Sequence, residues 1–127
     1  MSDPIADLVI RIKNSQAVNK EQVIVPYSKF KEEIVKVMRD NGFVSEIEKK
    51  KDDQKQRDNL IIKFSDKKIN HFKRLSKPGQ RLYIKGNNIP RPLRGFGLVI
   101  LSTPSGVLSG FDARKKRIGG ELICEVW

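Results

Sequence analysis

Apolar residues recur along the chain with two periods, and the changes between them mark out the elements. Ile5, Leu8, Val9 and Ile12 fall three and four residues apart, which puts them on one stripe of a helix. Asp3 can cap the free amides at its start, and Pro4 suits the first helical position, where no amide is needed. Arg11, Lys13 and Asn14 fall off the stripe and face water or a partner. Residues 22–26, QVIVP, read as a short strand closed by Pro26, after which Ser28 can cap a second helix from Lys29 to about Asn41. Phe30, Ile34, Val37 and Met38 make its inner face with Val35 at the margin. Lys29, Lys31 and Lys36 are expected outside, and Asn41-Gly42 supplies a left-handed exit.

The period then drops to two. Phe43 to Glu48 and Leu60 to Phe64 form the strands of a long hairpin, with KKKDDQKQRDN between them as a charged, nearly balanced solvated loop. Residues 66–71 lack a period and mark a boundary between lobes, followed by a short strand over 72–76 and a turn at Lys77-Pro78-Gly79-Gln80. Arg81 to Lys85 alternates as a strand with Arg81, Tyr83 and Lys85 on one face. Residues 86–97 are too broken by Pro90, Pro92 and glycine for a long element and predict a loop with one turn of helix. Leu98 to Leu101 is an apolar strand that delivers the chain to the turn Ser102-Thr103-Pro104-Ser105-Gly106. Phe111 to Lys116 makes a short helix ending in a basic tip, and a last strand begins after Gly119-Gly120. The fold class is α+β with two small lobes. Residues 1–70 are expected to form an α/β lobe (α-β-α-β-β) and residues 71–127 a mainly β lobe with a short helix.

Charge sharpens this division. The 127 residues hold 26 Lys and Arg against 15 Asp and Glu, a net +11 that points to a polyanionic partner. Residues 72–127 carry eleven bases against three acids, so +8 of the surplus lies in the second lobe. Eight of the nine glycines lie from Gly79 onward, where backbone can approach a ligand closely. Nucleic acid is favoured over membrane, since no apolar run approaches the roughly 20 residues that span a bilayer. One cysteine cannot form an internal disulfide, and Met1 leads directly into a helical pattern without a signal core, so a reducing cytoplasm is the expected location.

The inventory argues against catalysis. His71 is the only histidine, the residue type suited to acid–base work under ordinary conditions. It sits in a polar connector and reads as a surface histidine without a partner. Cys124 shares a strand face with Leu122 and Val126 and reads as core packing, with no second Cys or His at metal-ligand spacing. Gly95-Phe96-Gly97 and Gly119-Gly120 lack the remaining glycines and the lysine of a phosphate-cradling loop. Neither metal nor cofactor is expected. The ingredients present are those of nucleic-acid binding: Lys and Arg for phosphates, small hydroxyls for phosphate, sugar or base edges, and one acid, Glu121, among many bases.

These residues also carry a resemblance. Asp3-Pro4-Ile5-Ala6-Asp7, the segment from Pro26 to Glu33, Ser76-Lys77-Pro78-Gly79 and the Ser-Thr-x-x-Gly turn stand in order along the chain. Gly106-Val107, Ala113-Arg114, Gly119-Gly120-Glu121 and Cys124 with Val126-Trp127 complete the set. The sequence resembles, from end to end, the bacterial protein-eight family of the small ribosomal subunit. The resemblance implies a structural, non-enzymatic protein of the small subunit, a primary binder of a central-domain helix of its RNA that helps assemble the platform. It implies neighbouring ribosomal proteins as partners, and the messenger RNA of its own operon as a target of translational repression. The alternative is a stand-alone RNA- or DNA-binding regulator outside the ribosome.

By the same resemblance Ser102, Thr103, Ser105, Gly120 and Glu121 belong to the RNA contact set. Tyr83, Arg81, Arg91, Arg114, Lys115, Lys116, Lys29, Lys31 and Asn14 are expected to extend it. The chain departs from the family pattern in three places. Pro104-Ser105 stands where the family has a hydroxyl residue and a lysine, Ser109-Gly110 where it has Thr-Asp, a change expected to weaken the following cap, and Glu125 where it has an aromatic residue.

Overall fold

The computed structural model describes residues 3–52, 54 and 57–127, in two compact units: Pro4–Ile69, and residues 70–127 together with Asp3. In the first unit the apolar stripe Ile5, Leu8, Val9 and Ile12 is buried on helix α1 (Pro4–Ala17). Strand β1 (Gln22–Pro26) leads to Ser28, whose hydroxyl accepts a hydrogen bond from the Lys31 amide at 3.1 Å and so starts α2 (Lys29–Asp40). Gly42 closes α2 with φ +88°, a conformation that costs glycine nothing. The inner face of α2 differs from the periodicity reading. Val35, expected at the margin, is fully buried with Ile34 and Met38, while Phe30 and Val37 are only partly covered.

Strands β2 (Val44–Asp52) and β3 (Arg57–Phe64) form the hairpin, and the sheet runs β1-β3-β2, antiparallel throughout. The expected loop over 49–59 is largely strand: Lys49 pairs with Leu60 and the ladder runs on to Asp52 and Arg57. Asp53, Lys55 and Gln56, also assigned to that loop, lie outside the described residues. A charged sequence can extend a hairpin because neither face need be dry. In the added part the Lys49–Asp58 pair at 3.6 Å, with the Lys49 ammonium 4.1 Å from the Tyr27 ring centre, stands in for the apolar alternation that marks most strands.

The second unit is built on strand β8 (Gly120–Val126). Along one side of β8 lie β4 (Phe72–Arg74), against its C-terminal half, and β5 (Tyr83–Ile84), against its first two residues. Along the other lies β6 (Leu98–Thr103), which continues to β7 (Gly106–Ser109). Leu98 to Leu101 are all buried, as a central strand covered on both faces requires. Helix α3 (Gly110–Lys116) closes over this sheet, with Ala113 packed among Ile89, Val99 and Leu101. The Ser109-Gly110 departure leaves the cap of α3 intact, because the Ser109 hydroxyl accepts the Asp112 amide at 3.1 Å. Cys124 is wholly buried, and burial pushes its thiol up to about 12, which fits a packing role.

His71 is not the unpartnered surface residue that its polar connector suggests. Its ring stacks on Trp127 with centres 3.8 Å apart, and its Nε2 lies 3.2 Å from Glu125 Oε1. The His71 and Trp127 backbones also exchange hydrogen bonds of 2.8 and 3.0 Å. Sequence distance hid this cluster, since β4 and the chain end meet only through the sheet.

Candidate nucleic-acid interface

Two glycines set the geometry of this surface. A Cβ on Gly120 would run into the carbonyl oxygen of Ser102 and stand 3.1 Å from the Thr103 Cα. A Cβ on Gly119 would meet the Ile84 carbonyl oxygen and the Gly86 nitrogen. Backbone therefore packs on backbone on both sides of the start of β8, and only glycine fits. The register that results opposes Tyr83 to Glu121 on one side and Ser102 to Glu121 on the other. Residues directly opposed in antiparallel pairs share a face, so Tyr83, Glu121 and Ser102 form one row across three strands. Tyr83 stands out from it, 71% exposed.

Glu121 is held in this row by two donors on one oxygen. Its Oε2 accepts from the Ser76 hydroxyl at 2.7 Å and from Arg81 Nη1 at 3.0 Å. Ser76 is fully buried, and its oxygen also accepts the Leu82 amide at 2.8 Å, so one hydroxyl ties the turn after β4, the approach to β5 and the carboxylate together. The hydrogen bond to Glu121, then its charge, hold the Arg81 guanidinium above its already high range. Glu121 Oε1 forms no hydrogen bond among the described residues. It can accept one from outside, as a base amine or a sugar 2′-hydroxyl would offer.

Beside the row, Thr103 pairs with Gly106 across a two-residue turn. Pro104 takes the first central position, which suits its fixed φ, and Gly106 follows with φ +109°. The Thr103 hydroxyl donates to the Gly106 carbonyl at 2.7 Å and accepts the Ser105 amide at 3.1 Å, so its proton is spent inside the turn. The Ser102 and Ser105 hydroxyls form no hydrogen bond among the described residues, and Ser105 is exposed. The tip of α3 adds Arg114, Lys115 and Lys116, where cations also suit the negative helix end, with the Lys115 ammonium 5.7 Å from the Phe111 ring centre. Arg91 immediately precedes a short 3-10 turn over Pro92–Gly95.

The structure thus brings Ser102, Thr103, Gly120, Glu121 and Tyr83 onto neighbouring strands of one sheet, with Ser105 in the turn after β6 and Arg81 two residues before β5. Asn14 and Lys29 lie exposed on helices of the first unit and take no part in that row. Lys31 contradicts the outward placement read from its period. It is 6% exposed, its ammonium donates to the Pro26 carbonyl at 3.2 Å, and burial lowers its pKa. Its stem is buried and its ammonium reaches back to the last residue of β1, which a helical wheel cannot show. Sequence reasoning gave Ser76 no role beyond its motif; its signal was a small hydroxyl residue just before a Lys-Pro-Gly turn. Among the described residues, no group of three or more His, Cys, Asp and Glu is placed to hold a metal.

Comparison with known proteins agrees along the whole chain. The family model described as ribosomal protein S8 matches residues 3–127. Small ribosomal subunit protein uS8 of Thermus aquaticus is 44% identical, the match covering 100% of this chain and 99% of the relative. The protein of the same name from Thermus thermophilus is 43% identical over the same shares, and that of Staphylococcus epidermidis 38% over 100% and 98%. With a family match over residues 3–127 and such identity along full-length relatives, the chain belongs to the ribosomal protein S8 family.

Proposed function

We propose that this protein is a structural, non-catalytic component of the small ribosomal subunit in the cytoplasm, and that it binds a helix of the central domain of small-subunit RNA directly. The observation that carries the reading is the Tyr83–Glu121–Ser102 row, an exposed aromatic, an anchored carboxylate with an open oxygen, and a hydroxyl on adjacent strands. A regular A-form helix keeps the edges that best distinguish its bases in a deep, narrow major groove, so hydrogen-bonding groups set this way serve an irregular helix that exposes a base. The surrounding bases hold the phosphates and add salt-dependent affinity. Such early binding helps assemble the platform beside neighbouring ribosomal proteins, and a similarly folded segment of its own operon messenger RNA presents the same surface for repression.

Co-sedimentation tests the assignment. The protein added to cell extract is expected in the small-subunit fraction after a wash at moderate salt. Recovery entirely in the soluble fraction would instead support a free regulator.

A further inference from the structure

Gly86 follows β5 by one residue, and a Cβ there would stand 2.7 Å from the Arg117 carbonyl carbon and 2.8 Å from its oxygen. The bare glycine lets the segment after β5 lie against the C-terminal end of α3. Between them opens a cleft of about 610 Å³ lined by Gly86, Asn87, Arg91, Arg114 and Arg117. Its lining contains three guanidiniums and an amide, and no carboxylate.

The cleft is built rather than incidental. Arg114 is partly buried and donates from Nη1 to the Pro90 carbonyl at 3.3 Å, which fixes its position. Burial, then the charge of Arg91, lowers its pKa, although a guanidinium stays protonated under any ordinary condition. Arg117 caps α3 in the left-handed conformation at φ +56°, its amide bonded to the Arg114 carbonyl at 3.0 Å. Two other arginines of this unit find acids: Arg74 pairs with Asp3 and Arg81 with Glu121. Arg91, Arg114 and Arg117 form no such ion pair among the described residues. Like charges gathered without a counter-charge repel, and an anion seated among them removes that penalty.

We propose that the Arg91–Arg114–Arg117 cleft is a phosphate clamp, and that its ligand is the phosphodiester backbone of the RNA met by the Tyr83–Glu121–Ser102 row. The proposal rests on the reading of that row. Ile84 pairs with Gly120 and Gly86 stands two residues further on, so the cleft and the row share one end of β8. Guanidinium forks match phosphate oxygens in pairs and read no sequence, so the clamp sets register and affinity while the row supplies selectivity.

The test uses the full-length protein, an RNA fragment of the small-subunit central domain, and a regular RNA duplex of equal length, each titrated across a salt series. For the double variant Arg91→Gln/Arg117→Gln, the plot of log affinity against log salt is expected to flatten by roughly 1–2 units on both RNAs. The preference for the fragment should remain. Lys73→Gln, an exposed lysine on β4 beside the opposite end of β8, should leave the slope unchanged. An unaltered slope in the double variant, or an equal loss per charge from Lys73→Gln, overturns the clamp. Arginine Nε–Hε signals read by NMR separate the sources of phosphate. The fragment should shift those of Arg91, Arg114 and Arg117 at stoichiometric concentration, and inorganic phosphate should not. Saturation by inorganic phosphate alone, or no shift with either, overturns the proposal. A wild-type protein that failed to prefer the fragment would sink the reading of the row, while the slope on the regular duplex would still judge the cleft.

Discussion

Gly120→Ala is expected to lower affinity for the central-domain RNA fragment by at least about a hundredfold, roughly 2.7 kcal/mol. It should also destabilise the fold by about 2–4 kcal/mol. The new methyl group would collide with the Ser102 carbonyl oxygen, and backbone cannot rotate aside as a side chain can. Relief requires β6 and β8 to part at the Ser102–Glu121 pair, the centre of the row. Gly79→Ala is the matched control. A Cβ there meets nothing within 4 Å, so stability should stay within about 0.5 kcal/mol of wild type. Gel-shift titrations give the first quantity and urea midpoints the second. A Gly120→Ala protein that binds and folds like wild type would show that strand spacing does not govern the surface.

Ser76→Ala is expected to cost about 2–4 kcal/mol of stability, because the Leu82 amide loses its acceptor and the Glu121 carboxylate is left with the exposed Arg81 as its one donor among the described residues. The larger interest lies in binding. Ser76 is fully buried and cannot touch RNA, so any loss of affinity measures how far Glu121 must be held in position. At least a tenfold loss is expected at a temperature where the variant remains folded. Glu121→Gln gives the complementary result, since its amide oxygen still accepts from Ser76 while the charge is gone. Affinity within twofold of wild type for Ser76→Ala would mean that the anchoring serves the fold alone.

The helices were legible because each carries its own signals: Asp3-Pro4 and Ser28 at the starts, Gly42 at an exit, and apolar stripes between. The central strand β6 was legible as an unbroken apolar run. The extension of the hairpin over residues 49–52 and 57–59 was not, because a charged ladder has no apolar alternation and is held by contacts such as the Lys49–Asp58 pair. Lys31 was misplaced because period describes where a Cα points and says nothing of where a four-carbon stem ends.

At the site, residue types could be named from the basic, glycine-rich texture and the family motifs, but their arrangement could not. Tyr83, Glu121 and Ser102 become neighbours only through the register of β5, β8 and β6, and Gly119-Gly120 enforces that register by close backbone approach. The Ser76–Glu121 bond spans 45 residues, and the His71–Glu125 contact 54. Such pairings are properties of the sheet, invisible to any local window. The Pro104-Ser105 departure is accommodated locally, since the turn takes proline in its first central position and recruits the Thr103 hydroxyl to close itself.

Selectivity separates a shaped RNA surface from a merely basic one. The wild-type protein, titrated by gel shift at roughly 0.15 M salt against the irregular central-domain helix and a regular RNA duplex of the same length, is expected to bind the first at least about a hundredfold more tightly. Equal affinity for the two would reduce the surface to a basic patch and contradict the role assigned to the Tyr83–Glu121–Ser102 row.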